Sequence, residues 1–291
     1  MSLTDGRSEP GITRPFPRAA KAAPRSGPKG NGTGENEREL CKRTTRVTQL
    51  DRLWYGRGNM SSPKRTGRIV GVLLLSQLGL GLMVPFILIR PLMAGSPGFL
   101  TAAAESSSQI RTAVFLACVG GALTVALAIT AFPVFRTYSG AMARWFLSVC
   151  VLSCALDFVH NATVMSMLSL SREYVSQGAA DSGMYQVVGV AVASARRWAH
   201  LTQLVAIGMW IFVFYASLVR FALIPRALAA AGLVGILLQF SGVTAMMFLG
   251  RSTVGVLAMP LLPIQIAVAG WLIAKGFTDR PKASSPQPGV V

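Results

Sequence analysis

Acidic side chains are scarce in this sequence. The chain carries 11 Asp+Glu against 28 Lys+Arg, and charged residues of both signs make up only 13% of its 291 residues, about half the share of a soluble domain. Histidine is scarcer still, at two, and the four cysteines include no CxxC pair. With so few ligating side chains at no ligand spacing, neither a metal nor another cofactor is expected, and a structural disulfide is not expected either. No serine–histidine dyad, P-loop or glycine-rich phosphate loop occurs in a suitable context. An enzyme is therefore not the expected class, and nothing points to a nucleic-acid partner.

Hydrophobic residues fill what the charges leave, at 52% of the chain with a mean hydropathy of +0.51. Crossing ~30 Å of hydrocarbon takes about 20 mostly apolar residues. Six segments meet that requirement: 69–89, 112–135, 145–171, 198–219, 227–249 and 256–274. Five of them lack Asp, Glu, Lys and Arg altogether, and the third holds the single acid Asp157. Backbone polar groups in lipid must pair within their own segment, so these are helices. The expected fold is an all-α polytopic transmembrane bundle of six spans. The first is too long for the 7–15-residue core of a signal peptide and is followed by five more.

Arginines and a lysine bracket the runs (Arg68, Arg90, Arg111, Arg136, Arg144, Arg172, Arg197, Arg220, Arg226, Arg251, Lys275), and Trp145, Trp198 and Trp271 stand at or near span ends, as interfacial anchors do. Of the cations near the spans, twelve fall on the side of the two termini and six on the other. The positive-inside bias then places both termini in the cytoplasm.

Residues 1–67 are rich in Gly, Pro, Ser, Thr, Lys and Arg without periodicity and are expected to be a disordered basic tail. Lys64, Arg65 and Arg68 are placed to meet anionic headgroups. Met60 opens a natural start for a membrane protein, MSSPKRTGRIVGVLLL, so an alternative start there, with the upstream residues an artefact, is an equal expectation. Residues 68–278 form the membrane domain and 279–291 a short disordered tail. The connection from Arg172 to Arg197 is the longest between spans. Its second half, 183–195, reads as an external interfacial or re-entrant helix, because Arg196–Arg197 would otherwise interrupt one helix of unusual length.

Asp157 is the informative residue, since a charge at mid-membrane costs about 2.5–3.5 kcal/mol. His160 and Asn161 follow at i+3 and i+4 on the same face. Counting inward from the outer span ends puts Asp157 at ~21 Å, His160 at ~16 Å, Gln239 at ~15 Å, Gln265 at ~14 Å and Gln77 at ~18 Å. Four helices thus hold polar side chains near one layer. Either these groups are interhelical glue, each pair stabilising by about 0.6 kcal/mol, or they line a cavity that binds or conducts a small polar solute or a proton. His200 comes out at only ~3 Å depth, far from His160, which speaks against bis-histidine haem ligation. Pro260 and Pro263 should kink the sixth span beside Gln265.

The stretches RTGRIVGVLLL, LSLSREYVSQGAADS, ARRWAHL, LIPRALAAAGLVG and MPLLPIQIAVAGWLIAKGF occur in that order. Together they resemble the bacterial membrane family catalogued as domain of unknown function four-three-eight-six. LIPR at 223–226 and WLIAKGF at 271–277 are the most specific parts of the likeness. It implies the six-span architecture over roughly residues 65–278 and a bacterial cytoplasmic membrane, and it implies no activity. The family pattern has Glu at the position of Asp157, Arg at that of Cys154, and Glu near Gln265, so this chain departs from it at all three.

Overall fold

Apolar periodicity is weak in the spans because lipid replaces water as their outer solvent. In the computed structural model, which describes residues 62–93, 98–178, 182–250 and 254–278, every described segment is helix, turn or short connection, with no strand among the described residues. Six helical stretches are long and apolar enough to cross a membrane: Pro63–Leu88, Ser107–Tyr138, Gly140–Ser176, Gly183–Phe221, Arg226–Leu249 and Gly255–Lys275. Each carries large apolar side chains that face outward. Val72, Phe115, Phe158, Phe212, Val234 and Ile266 are exposed, one on each span, an outside that only lipid or a partner would tolerate. This is a six-span α-helical membrane protein.

The first span is α1 (Pro63–Met83) continued by a π-helical turn, Val84–Leu88. Its start lies upstream of the expected residue 69, so the last residues of the expected disordered tail are helical. The cause is local: Ser62 Oγ accepts from Arg65 N at 3.3 Å and Pro63 occupies the first turn, a strong start signal. Lys64, Arg65 and Arg68 are exposed there. Residues 1–61 and 279–291 lie outside the described residues, as does Arg251. Pro85 removes a backbone donor inside the π turn. The carbonyls of Ile87 and Leu88 each accept from Gln109 Nε2 at 3.1 Å, which satisfies the frayed end of the span.

A short helix, α2 (Phe99–Glu105), precedes the second span, α3 (Ser107–Tyr138). One residue, Ser139, then turns the chain into α4 (Gly140–Ser176), its hydroxyl accepting from Met142 N. The fourth span is α5 (Ser182–Phe221), a single helix of 40 residues. A separate external helix at 183–195 is thereby overturned: the chain runs straight through Arg196 and Arg197. Arginine is a good helix former, and neither cation must stop at the boundary. Arg197 is exposed, while Arg196 is half-buried and donates through Nη2 to Met93 Sδ at 3.3 Å. At 1.5 Å per residue α5 is ~60 Å long, about twice the hydrocarbon thickness.

The fifth span is α6 (Arg226–Leu249). The sixth comprises α7 (Val254–Ala258) and α8 (Leu261–Lys275). Met259 and Pro260 form a turn between them, with Pro260 keeping helical φ −63° and ψ −25° as the cap of α8 and Pro263 in its first turn.

Ring and side-chain contacts fix the antiparallel register of α4 on α5. Phe146 stacks on Phe214 at 5.8 Å, Gln203 bonds Asp157, His160 meets His200, and Tyr174 meets Tyr185 at 5.4 Å. Two apolar clusters hold the bundle. The basal one, at the end where α1 begins, gathers Leu74, Leu127, Phe135, Phe146, Trp210, Phe214, Leu272 and Phe277. The apical one gathers Ile89, Phe99, Leu100, Ala113, Val164, Met167 and Tyr185. At the basal end α1 crosses the end of α8 closely: a Cβ on Gly67 would overlap the backbone of Gly276 and Phe277, and Gly276 has φ 73° and a Cβ there would overlap the Lys64 backbone. Small residues permit this backbone approach.

Candidate functional site

Between the two apolar clusters, four helices interrupt their cores at one level. On α4 the basal cluster ends at Cys150 and the apical one resumes at Val164; on α3 the gap runs from Val114 to Leu127. On α1 it runs from Leu74 to Val84, and on α5 from Ala193 to Ile207. The gaps are filled by Gln77 on α1, Cys118 and Gly121 on α3, Asp157, His160 and Asn161 on α4, and His200 and Gln203 on α5. A cavity of about 150 Å³ opens among them, lined on its polar side by Gln77, Asp157, His160, Asn161, His200 and Gln203. The rest of the lining is apolar; a wholly apolar void of this size stays dry, whereas several polar groups gathered on one wall can hold water or a solute.

Asp157 is half-buried and its backbone neighbour Phe158 faces outward, so the carboxylate points into the bundle. Gln203 Nε2 donates to Asp157 Oδ1 at 2.7 Å. The Oε1 of the same amide lies 3.2 Å from His200 Nδ1, which in its donating tautomer completes the line His200, Gln203, Asp157. The His160 and His200 rings are 5.0 Å apart. His160 is only 5% exposed and its Nε2 is buried without a hydrogen-bond partner. Asn161 Nδ2 reaches Cys118 Sγ at 3.5 Å. Gly121 makes room for the acid: a Cβ there would lie 3.1 Å from Asp157 Oδ2 and 3.2 Å from Cys154 Sγ. Counting from Arg111, Gly121 lies ~15 Å into the membrane, which sets the acid near mid-depth.

Of the residues singled out from sequence, the structure brings Gln77, Asp157, His160 and Asn161 to this cavity. Gln239 and Gln265 are buried, at 8% and 7% exposure, on α6 and α8, and neither lines it. Two readings need correction. His200 is not remote from His160; its depth was counted from residue 198, whereas its helix begins at Ser182. Gln203, not anticipated, holds the acid; the available signal was its position three residues after His200 on the same face. The two imidazoles and the acid do not form a metal site: no group of three His, Cys, Asp or Glu among the described residues could hold an ion.

A family model described as Domain of unknown function (DUF4386) matches residues 69–276, a range that includes all six spans. The chain belongs to this family. No curated protein and no solved structure matches it. The family match brings no activity with it, so the chemistry has to be read from the cavity itself. The specific family stretches serve packing at the basal end. In LIPR, Leu223 and Ile224 are buried and Pro225 caps α6, while Thr278 N donates to Leu223 O at 2.9 Å. WLIAKGF delivers Gly276 and Phe277 under α1.

Proposed function

We propose that this protein binds a small hydrogen-bonding solute inside the membrane, between its first four spans, with Asp157 as the anchor. The single observation that carries this reading is that His160 Nε2 is buried and unpartnered beside a cavity whose polar wall Asp157 also forms. Helix glue would satisfy such a group on the neighbouring helix, since an unpaired buried polar atom costs about 1–3 kcal/mol. A bound solute or ordered water is the remaining source of a partner. Transfer of a bare proton along the line is the weaker variant, because the Gln203 amide bonds both neighbours but is not itself an acid or base at ordinary pH. The positive-inside bias supports an orientation with both termini cytoplasmic, which makes the apical end external, and the resemblance to a bacterial membrane family supports a bacterial cytoplasmic membrane.

A second reading has its own observation. The Gln203–Asp157 and Asn161–Cys118 bonds tie α5 and α3 to α4, as a purely structural polar layer would. Aqueous labelling separates the two. Gln77→Cys, in a chain whose other cysteines are replaced, should react with a membrane-impermeant methanethiosulfonate ~10-fold or more faster than Val72→Cys on the lipid face, because only a hydrated thiol ionises readily. Equal, slow reaction at both positions would leave a dry structural layer as the reading.

A further inference from the structure

On the polar wall of the cavity the amides turn their nitrogens to protein atoms, and the open positions are acceptors. Gln203 uses both ends of its amide, Nε2 on Asp157 Oδ1 at 2.7 Å and Oε1 against His200 Nδ1 at 3.2 Å. Asn161 donates through Nδ2 to Cys118 Sγ at 3.5 Å. Asp157 Oδ2 and Asn161 Oδ1 are left without a protein partner among the described residues. His160 Nε2 is unpartnered too, and it accepts in the tautomer that carries its proton on Nδ1. Gln77, on α1, is the one lining amide whose nitrogen is not used in this way.

Asp157 is also the one carboxylate on the lining, and among the described residues no Lys or Arg lines the cavity to compensate it. Arg196, two turns before Gln203 on α5, lies outside the lining and donates to Met93 Sδ at 3.3 Å. An acid without a counter-charge is costly inside a membrane, and a cation brought in by a ligand offsets that cost. The other two helices make an apolar wall. Apart from Gln77, every polar lining residue stands on α4 or α5, whereas α3 contributes only alanines, glycines and Val114, and α1 adds Leu80, Val84 and Pro85.

We infer that the ligand is a small amphipathic amine, bound in its ammonium form. The cation lies against Asp157, donates to Oδ2, Asn161 Oδ1 and His160 Nε2, and rests its apolar body on α1 and α3. A primary ammonium has three donors and no acceptor, the complement of those three atoms. A cavity of about 150 Å³ admits an apolar body of roughly benzene size. The inference rests on the solute-binding reading above and narrows it to one charge and one pattern of polarity.

The test uses the full chain in lipid nanodiscs and reads saturable binding by equilibrium dialysis, with empty nanodiscs subtracted for partition into lipid. The buffer is held at about pH 7, where alkylamines are protonated. Benzylamine and butylamine are compared with the uncharged benzyl alcohol and 1-butanol, with the anions benzoate and butyrate, and with methylamine, a cation that lacks the apolar body. At least one of the two larger amines should bind ~10-fold or more tighter than its alcohol, its anion and methylamine, since each methylene taken from water adds severalfold to affinity. Asp157→Asn keeps the shape of the side chain and should weaken that binding by at least ~30-fold, the loss expected when one partner of a buried charge contact is removed. A thermal midpoint no lower than that of the parent chain shows that this variant is folded. If each alcohol binds as well as its amine, or methylamine as well as butylamine, the amphipathic-amine inference is overturned while the solute site stands. Amine binding that Asp157→Asn leaves unchanged overturns both. Binding of no probe overturns the inference as well, and the labelling of Gln77→Cys then decides whether the solute site falls with it.

Discussion

Gly67→Ala is expected to destabilise the protein by about 3 kcal/mol, at the upper end of what overpacking costs, and Gly276→Ala by a similar amount. Both substitutions act where the start of α1 meets the chain just past α8 backbone to backbone. A Cβ on Gly67 overlaps the peptide between Gly276 and Phe277, and a Cβ on Gly276 overlaps Lys64, so no flexible side chain can yield. Gly276 also adopts φ 73°, a conformation that L residues rarely take. Gly270→Ala is the matched control. Nothing lies within 4 Å of its Cβ, and the gain in helix propensity should leave it neutral or stabler by up to about 1 kcal/mol. Thermal midpoints in nanodiscs would check all three. A Gly67→Ala midpoint equal to that of Gly270→Ala would contradict the close crossing of α1 over the end of α8.

The second large effect runs in the opposite direction. Asp157→Asn should raise stability by about 1–2 kcal/mol, because it removes much of the insertion cost of a mid-membrane charge. The substitution keeps an oxygen for the one hydrogen bond that Asp157 accepts, from Gln203 Nε2. Residues kept for binding carry such stability costs. If the polar layer were only glue, the same change should be neutral or destabilising by roughly the 0.6 kcal/mol of an average interhelical bond. Gln203→Leu completes the comparison. It orphans the acid and should destabilise by about 1–3 kcal/mol, an effect that shrinks in the Asp157→Asn background. Additive effects would show that the two residues do not interact.

The span architecture is legible because cations bracket nearly every apolar run. The second, third, fifth and sixth spans extend the expected segments by no more than five residues at either end. The fourth misled for a physical reason. Arg196–Arg197 reads as an interface mark, but a long side chain can start below the surface and reach outward, as Arg196 does to Met93. A span that starts at residue 198 puts His200 at the membrane surface, whereas the continuous helix brings its ring to within 5.0 Å of His160.

A linear count of residues gives depth along a helix and says nothing of azimuth. Gln239 and Gln265 share the expected layer by depth, yet neither lines the cavity. Asp157, His160 and Asn161 are one face by spacing alone, and that face is the one that meets α3 and α5. The triplet Arg196, His200 and Gln203 had the same spacing on the neighbouring span. It went unread because the helix had been cut in front of its second member.

The most direct test of the account is an experimental density map of the full chain in lipid nanodiscs, fine enough to show ordered water. The account predicts density in the cavity bridging Asp157 and His160 Nε2, with Gln203 bonded to the carboxylate. A closed, dry interface in which apolar side chains fill that space and His160 is bonded to a neighbouring helix would contradict it.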